Sequence, residues 1–562
     1  MKKIFLCLFL GLFCFPTTDT TSAQQAAFRK LPVKVFRDKM KAGWVGQIAG
    51  VCWGGPTEFR WNDQIIPEAD MPKWKPEMIN EAFGQDDLYV EMTFLRTLEE
   101  YGLDVSIRQA GIDFANSGYG LACANAAGRR NLRAGIAPPD SSHPQFNKCP
   151  NDIDYQIESD YSGLIAPGMP NVPIELGRIF GRLMNYSDGM YAGQFMGGMY
   201  AEAFFEDDLF KIIDAGLACI PPDCQYAEMV RDIVQWYKDN PDDWIACWNL
   251  CQKKYRENPE YQKSSNGGID VKINGAYVLI GLLYGKKNLD DTIVISTRCG
   301  MDSDCNPSSS AGVLFTTIGY SNLPARFTEK LNHDVHFSHT AYNFPKLLDV
   351  CEKLARQYVV REGGRIEKDA SGDEIFVIPV KKPVPDKLEL SWAPGPIAES
   401  VFTDEERAQI RFVEFLAIKD TVKHHFPGWT ISHCGPDMDP GMREYYRGKS
   451  QVLMTHPLVE GRSCILSTEV NVPRDKKTVL KAVVSHHQVV GGDWELILRI
   501  NGSIQKRQII SSETVGEDGW LEFTYDLSSF AGTPNLKIDL ENSPTGWFCE
   551  AGYWASLEIL SE

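Results

Sequence analysis

Through the first part of the chain, apolar residues recur at helical spacing. Val90-Glu-Met-Thr-Phe-Leu-Arg-Thr-Leu-Glu-Glu-Tyr101 follows that period and is stopped by Gly102, which predicts an amphipathic helix. Phe195-Met-Gly-Gly-Met-Tyr-Ala-Glu-Ala-Phe-Phe205 is rich in small residues and predicts a tightly packed helix. Asn274-Gly-Ala-Tyr-Val-Leu-Ile-Gly-Leu-Leu-Tyr284 predicts another, ended by Gly285-Lys-Lys-Asn. Leu289–Arg298 leads into a loop around Asp302, and Ala311–Gly319 leads out of it. Strand-like alternation is scarce from residue 30 to residue 355, which we read as one helical domain.

Near residue 365 the texture changes. Asp373-Glu-Ile-Phe-Val-Ile-Pro-Val380 is short and β-branched, and Lys381-Lys-Pro-Val-Pro-Asp386 is charged and proline-rich. Residues 356–424 therefore read as a connecting segment. From 425 to 562 short alternating runs are separated by turn residues: Lys477–Ser485, Trp494–Ile500 with Asn501-Gly502 after it, Trp520–Tyr525 and Leu536–Leu540. Asn-Gly between alternating runs is a hairpin signal, and regular short strands indicate a β-sandwich. The expected architecture is multidomain, an all-α bundle followed by an all-β jelly-roll or sandwich domain.

The N-terminus changes the picture. Lys2 and Lys3 precede the apolar run Ile4–Phe15, and a polar stretch ends in Thr21-Ser22-Ala23. That pattern reads as a cleaved export signal over residues 1–23, hence a periplasmic or extracellular protein. The run is too short to span a bilayer comfortably, and no other segment looks transmembrane. A lipid anchor on Cys14 is the rival reading, disfavoured by the bulky Phe13 before it.

With 43% hydrophobic and 23% charged residues among 562, the chain can bury a large core. A net charge of −18 leaves no basic stripe for nucleic acid. Thirteen of the fifteen cysteines lie beyond the signal, and none form a Cys-x-x-Cys pair, which argues against structural zinc. They read as small buried residues or as disulfide partners, with Cys219/Cys224 and Cys247/Cys251 the closest pairs.

The candidate chemistry is acidic. Gly300-Met-Asp302-Ser-Asp304-Cys-Asn306 carries two aspartates one residue apart, and Gly84-Gln-Asp86-Asp87-Leu88 carries a second pair. Taken singly, these are a turn with a helix cap and a first-turn acidic pair suited to the helix dipole. Together they form four carboxylates at two loop–helix junctions, suited to a hard divalent cation such as Mg²⁺, Mn²⁺ or Ca²⁺. A third element, Gly46-Gln-Ile-Ala-Gly50-Val-Cys-Trp-Gly54-Gly-Pro-Thr-Glu58, has glycines every fourth residue for close helix packing, then breaks and presents Glu58.

In this order the three elements resemble the ADP-ribosylglycohydrolase family over roughly residues 35–345. Gly50, Gly54 and Glu58 match the family's opening helix end; Asp86 and Asp87 match its Thr-Asp-Asp-Thr; Gly300, Asp302 and Asp304 match its closing Gly-x-Asp-x-Asp-Thr. The resemblance implies an all-α bundle with two divalent ions, usually Mg²⁺, which this chain's departures from the motif reduce to one or two. It makes Asp86, Asp87, Asp302 and Asp304 metal ligands and Glu58 the mobile catalytic carboxylate; in the chemistry expected, Glu58 transfers the proton and Asp302 orients metal and water.

The departures are specific. The family's Asp after the first glycine is Val51, its ligand threonines are Gln85 and Cys305, and the Thr after the first acidic pair is Leu88. A thiol is a poor Mg²⁺ ligand, so Gln85, Glu91 and Cys305 become candidates for an altered coordination shell. The family's Gly-rich middle segment is replaced by Ser187-Asp-Gly-Met-Tyr-Ala-Gly-Gln194, which bears on ADP-ribose as the substrate. Asp160, Tyr161, Gly168 and Tyr191 are the expected substrate contacts. In the β region, Trp494, Trp520, Trp547 and Trp554 read either as sugar-stacking residues or as core, and the histidines as structural or surface.

The function expected is metal-dependent hydrolysis of an N- or O-linked ribosyl or furanosyl bond. An exported glycosidase acting on extracellular glycans is the second reading, and a glycan-binding protein on a decayed enzyme fold is the third. The partner is a small molecule or glycan.

Overall fold

The computed structural model describes residues 27–263, 269–489 and 491–562; the export signal read in residues 1–23, with its Cys14, lies outside them. The helical domain is organised around its first helix, Val33–Gly54, which is buried over almost all of its second half. Surface helices keep a polar stripe. This one lacks one because the Cys305–Ile318 helix, buried from Cys305 to Thr316, lies along it at very close range. A Cβ at Gly50 would stand 2.3 Å from the carbonyl oxygen of Pro307, and one at Gly54 2.0 Å from that of Ser303. The glycine spacing read from the sequence thus has a definite partner. It also brings the end of the first helix against the loop that carries Asp302 and Asp304.

The Asp86–Tyr101 helix starts with its two acids in the first turn and ends at Gly102, where φ is +84° and the N–H returns to Leu98. The Asp188–Ala203 and Val271–Tyr284 helices are buried on nearly all sides, as their small-residue and apolar sequences require. Asp270 caps the second of these, accepting from Lys272 N at 2.8 Å.

The connecting segment is more than a tether. Glu374–Pro379 pairs antiparallel with both Arg365–Lys368 and the N-terminal strand Phe28–Pro32. Beyond it the chain runs over the helical domain as a strap. Arg178 pairs with Asp386 at 2.6 Å, Ser187 Oγ donates to the Glu389 carbonyl at 2.7 Å, and Asp140 accepts from Ala398 N and Ser400 N at 2.8 Å each. A proline-rich stretch cannot pair along its length, so side chains of the bundle take up its carbonyls and amides.

The C-terminal region is two antiparallel five-stranded sheets. One runs in the order Ser503–Ile510, Trp494–Ile500, Leu536–Ser543, Cys464–Val470, Thr430–Ser432. The other runs Leu521–Asp526, Thr478–Ser485, Gly552–Ser561, Lys449–Thr455, Gly441–Tyr446. The Asn501-Gly502 hairpin turns where its sequence predicts, with φ of 46° and 80° at the two residues. Alternating Leu480, Ala482, Val484, Leu496 and Leu498 fill the space between the sheets. Trp494 and Trp554 belong to this core and Trp520 to a smaller cluster with Val452, Met454 and Tyr553, so three of the four tryptophans are unavailable to a sugar. Trp494 and Trp554 are fully buried with centroids 5.2 Å apart, and Trp520 donates to the Arg447 carbonyl at 2.8 Å. Only Trp547 of the four is exposed, edge-on to His456.

Candidate metal centre

Backbone pairing fixes the two loops that face each other across the site. Phe59 N donates to Met301 O at 3.0 Å and Met301 N to Trp61 O at 3.1 Å. Gly300 takes φ +82°, where a Cβ would strike the carbonyl oxygen of Gln64 at 2.4 Å. Beneath this seam Thr57 Oγ1 and Ser303 Oγ share a hydrogen bond of 2.8 Å, both side chains buried. Glu58 is therefore held on the rim of the same loop pair that buries Asp302 and Asp304.

The carboxylates assemble into two groups with one member in common. Ligand atoms of Glu58, Asp302 and Asp304 lie within 4.8 Å of one another, and so do those of Asp87, Asp304 and Cys305. Asp87, Asp302 and Asp304 are buried, and each has one oxygen with no hydrogen-bond partner. Buried carboxylate oxygens are ordinarily satisfied. Orphaned acceptors on acids that meet at Asp304 from two sides fit a cation, which supplies the charge they lack. Asp86 is exposed and belongs to neither group.

Electrostatics follow from that crowding. Burial, then the charges of Asp304 and Asp86, pushes Asp87 well above the usual carboxylate range. Burial raises Asp302 to about 7, with Asp87 adding to it and the Asp304 contact opposing. Asp304 is raised well above its ordinary value by burial and then by Asp302. Glu58 is raised by desolvation first and Asp86 second. Like charges this close need either protons or a metal.

The altered positions are explained locally. The Cys305 thiol donates to Asp87 Oδ2 at 3.2 Å, and burial with Asp302 and Asp304 keeps it protonated. Gln85 precedes the Asp86 helix without capping it through its side chain, and its amide nitrogen reaches toward Gly55. Glu91 is wholly buried and accepts from Tyr161 N at 2.8 Å, while its second oxygen is unpartnered. Val51 and Leu88 are core residues.

Of the four expected substrate contacts, Asp160 lies closest to this chemistry. It is buried, raised to about 7 by burial, and accepts from Tyr200 Oη at 2.7 Å and from Ser309 Oγ at 3.3 Å. It backs Glu91, whose pKa it helps raise. The other three are spent on the fold. Tyr161 has no exposed surface and packs on Phe94 and Phe180. Gly168 is a left-handed turn residue against the Phe205 ring, where φ is +64°. Tyr191 is buried under the strap, donating to Lys387 O and accepting from Glu389 N, both at 2.9 Å.

Other residues near the site carry no sequence signal of their own. Tyr89, one helical turn past Asp86, meets Tyr119 at 5.0 Å and His339 at 5.2 Å, and the latter two rings lie 5.6 Å apart. These rings come from three separated segments. Asp154 and Glu158 form a second buried acidic layer, the first at about 7 and the second well above its ordinary value, mainly through burial.

A family model described as ADP-ribosylglycohydrolase matches residues 32–363. The chain belongs to the ADP-ribosylglycohydrolase family. Membership suggests hydrolysis of a glycosidic bond, and the family is typically metal-dependent. A solved structure described as "ADP-ribosylglycohydrolase-related protein complex" is 13% identical, with a TM-score of 0.40; the match covers 57% of this chain and 99% of that one. A search of curated protein sequences gave no match. The matched span contains Glu58 and all four aspartates, and it also takes in the Arg365-proximal end of the last bundle helix, Phe344–Arg361. No described helix is long and apolar enough to cross a membrane.

Proposed function

We propose that this chain is a divalent-metal-dependent hydrolase of a ribosyl or related furanosyl glycoside, Mg²⁺ being the preferred ion. The observation that carries the reading is the shared Asp304: two ligand groups meet there, with unpartnered oxygens on Asp87, Asp302 and Asp304. A divalent ion held there would neutralise the buried acids and draw electron density from sugar hydroxyls. Glu58, on the rim, is positioned to exchange a proton with water or the leaving group, and its raised pKa suits that task. Asp302 orients the reacting water by accepting from it. Positive charge that develops at the anomeric carbon faces an acidic floor.

The Lys2-Lys3 and Ile4–Phe15 pattern supports export, and with it a glycan substrate as the second reading. The test is hydrolysis of ADP-ribosyl substrates and of a glycan panel, each with Mg²⁺ and with chelator. Turnover that is lost on chelation and restored by Mg²⁺ is expected with one class. Tight glycan binding without turnover would replace the hydrolase with a binding protein.

A further inference from the structure

A cavity of about 660 Å³ opens between the helical domain and the β-sandwich. One wall is the Gly118–Leu121 segment with the Cys123–Arg133 helix; the other is the strand Gly441–Tyr446 and the turn before it. Four arginines face three carboxylates around it, a local excess of positive charge in a chain of net charge −18.

Arg129 is the unusual member. It is only 9% exposed, and its Nη1 is fixed by the carbonyls of Tyr119 at 2.7 Å and Ser117 at 3.2 Å. No carboxylate among the described residues pairs with it, and its Nε and Nη2 have no partner there. Arg133, one helical turn on and 6% exposed, pairs with Glu444 and donates to the carbonyls of Ala115 and Ser117, each at 2.8 Å. On the opposite wall Arg443 donates to the Asp439 carbonyl at 2.7 Å and, among the described residues, to no carboxylate. Glu414 is raised by burial, and its charge is shared among Arg133, Arg130, Arg443 and Arg129, the last of which it does not pair with directly. Like charges at i,i+4 repel, and a buried cation without a directly paired counter-charge is costly. Burial lowers Arg129 from its ordinary value, and burial with Arg129 beside it lowers Arg133 to about 9. An anion entering the cavity would relieve all of these.

Two rings link the cavity wall to the acidic segment, and the charges of both Asp86 and Arg129 act on Tyr89. Tyr119 lines the cavity, and the Tyr119 ring meets Tyr89, which stands one helical turn from Asp86. A substrate whose glycosidic bond lies over Asp302 would pass the Tyr89–Tyr119–His339 rings on its way to Arg129.

We propose that this interdomain cavity is a distal substrate subsite that takes an oxyanion, a carboxylate or phosphate group of the glycoside, on Arg129 with Arg443 opposite. The inference rests on the hydrolase reading and gives that site its substrate class. A planar guanidinium with two free donors matches a two-oxygen anion.

Calorimetry with the full chain and Mg²⁺ tests it, using trigalacturonate, inorganic phosphate and ADP-ribose against neutral galactose. At least one anionic probe should bind, and Arg129→Gln should weaken it about tenfold or more, with Arg129→Lys retaining part. Circular dichroism and Mg²⁺ affinity serve as folding controls. If Arg129→Gln does not fold, Arg443→Gln carries the same expectation. Trigalacturonate binding alone assigns a uronate; phosphate and ADP-ribose binding assigns a phosphorylated substrate. No anion binding better than galactose, or binding indifferent to both arginines, overturns the proposal. Chelator-sensitive turnover of a neutral glycoside would leave the hydrolase reading standing in that case, whereas anion binding without turnover of any substrate would count against the hydrolase alone.

Discussion

The Cys305 thiol donates a hydrogen bond to Asp87 at 3.2 Å, joining the two acidic segments across 218 residues of sequence. In this state it occupies an Asp87 oxygen that a cation would need. A hard oxygen at the same position would serve Mg²⁺ better. Cys305→Ser should therefore tighten Mg²⁺ binding by about tenfold, with Cys305→Ala falling below the serine variant. Calorimetric titration of the three proteins decides this, and an unchanged constant across them would remove Cys305 from the coordination shell.

Glu58 stands on the rim, so its removal should be inexpensive for folding and severe for turnover. Glu58→Gln is expected to lower kcat by roughly 10²–10⁴ with little change in Tm or Mg²⁺ affinity. Steady-state kinetics beside a melting curve would show it. A near wild-type rate would assign proton transfer elsewhere, with Asp302 next in line.

Gly54 makes the tightest approach among the first helix's glycines, where an added Cβ would stand only 2.0 Å from Ser303 O. Gly54→Ala must displace the Ser303–Asp304 backbone. Overpacking of this kind costs about 1–3 kcal/mol, and here it should also loosen the metal ligands. Gly84→Ala is the control, since nothing lies within 4 Å of its added methyl group. Denaturant melts and Mg²⁺ titrations of the two variants should diverge; equal behaviour would refute close packing as the source of the loop geometry.

Asp160 makes a pH prediction with a definite sign. Burial lifts it to about 7 in the native state, against its Tyr200 and Ser309 donors, whereas an unfolded aspartate titrates near 3.9. Between those values the native state holds more protons, so stability is fully present below about pH 4 and is lost as pH rises toward 7. In chelator, the wild type should lose up to about 4 kcal/mol from this group across that window. Asp160→Asn cannot ionise and should flatten the dependence between pH 4 and pH 7. Denaturant melts at both pH values measure it, and parallel losses in the two proteins would assign the dependence to other acids.

The sequence showed most clearly the features that repeat at a fixed spacing. Glycines at 46, 50 and 54 announced a close helix partner, and Asn501-Gly502 announced its hairpin, because each depends on backbone geometry that few residues allow. The acidic pairs were visible for a similar reason, since adjacent carboxylates are unfavourable without a purpose. What stayed hidden was whatever the tertiary fold alone brings together. Tyr89, Tyr119 and His339 meet only once three segments converge. Tyr161 and Tyr191 look like pocket residues in sequence, yet hydrogen bonding and ring packing take them inside. Tryptophans mislead in the same way, because the large apolar surface that suits sugar stacking also suits a sandwich core.

The strand Phe28–Pro32 finds its hydrogen-bonding partner at Glu374–Pro379, and the Arg108 guanidinium is gripped by Glu406 still further on. The bundle is thus a clasp whose two ends fasten to each other late in the chain. On a ribosome it cannot close until about residue 410 has emerged. A polypeptide cut after residue 363, where the family match stops, would keep every acid of the centre and yet leave its first strand without a neighbour.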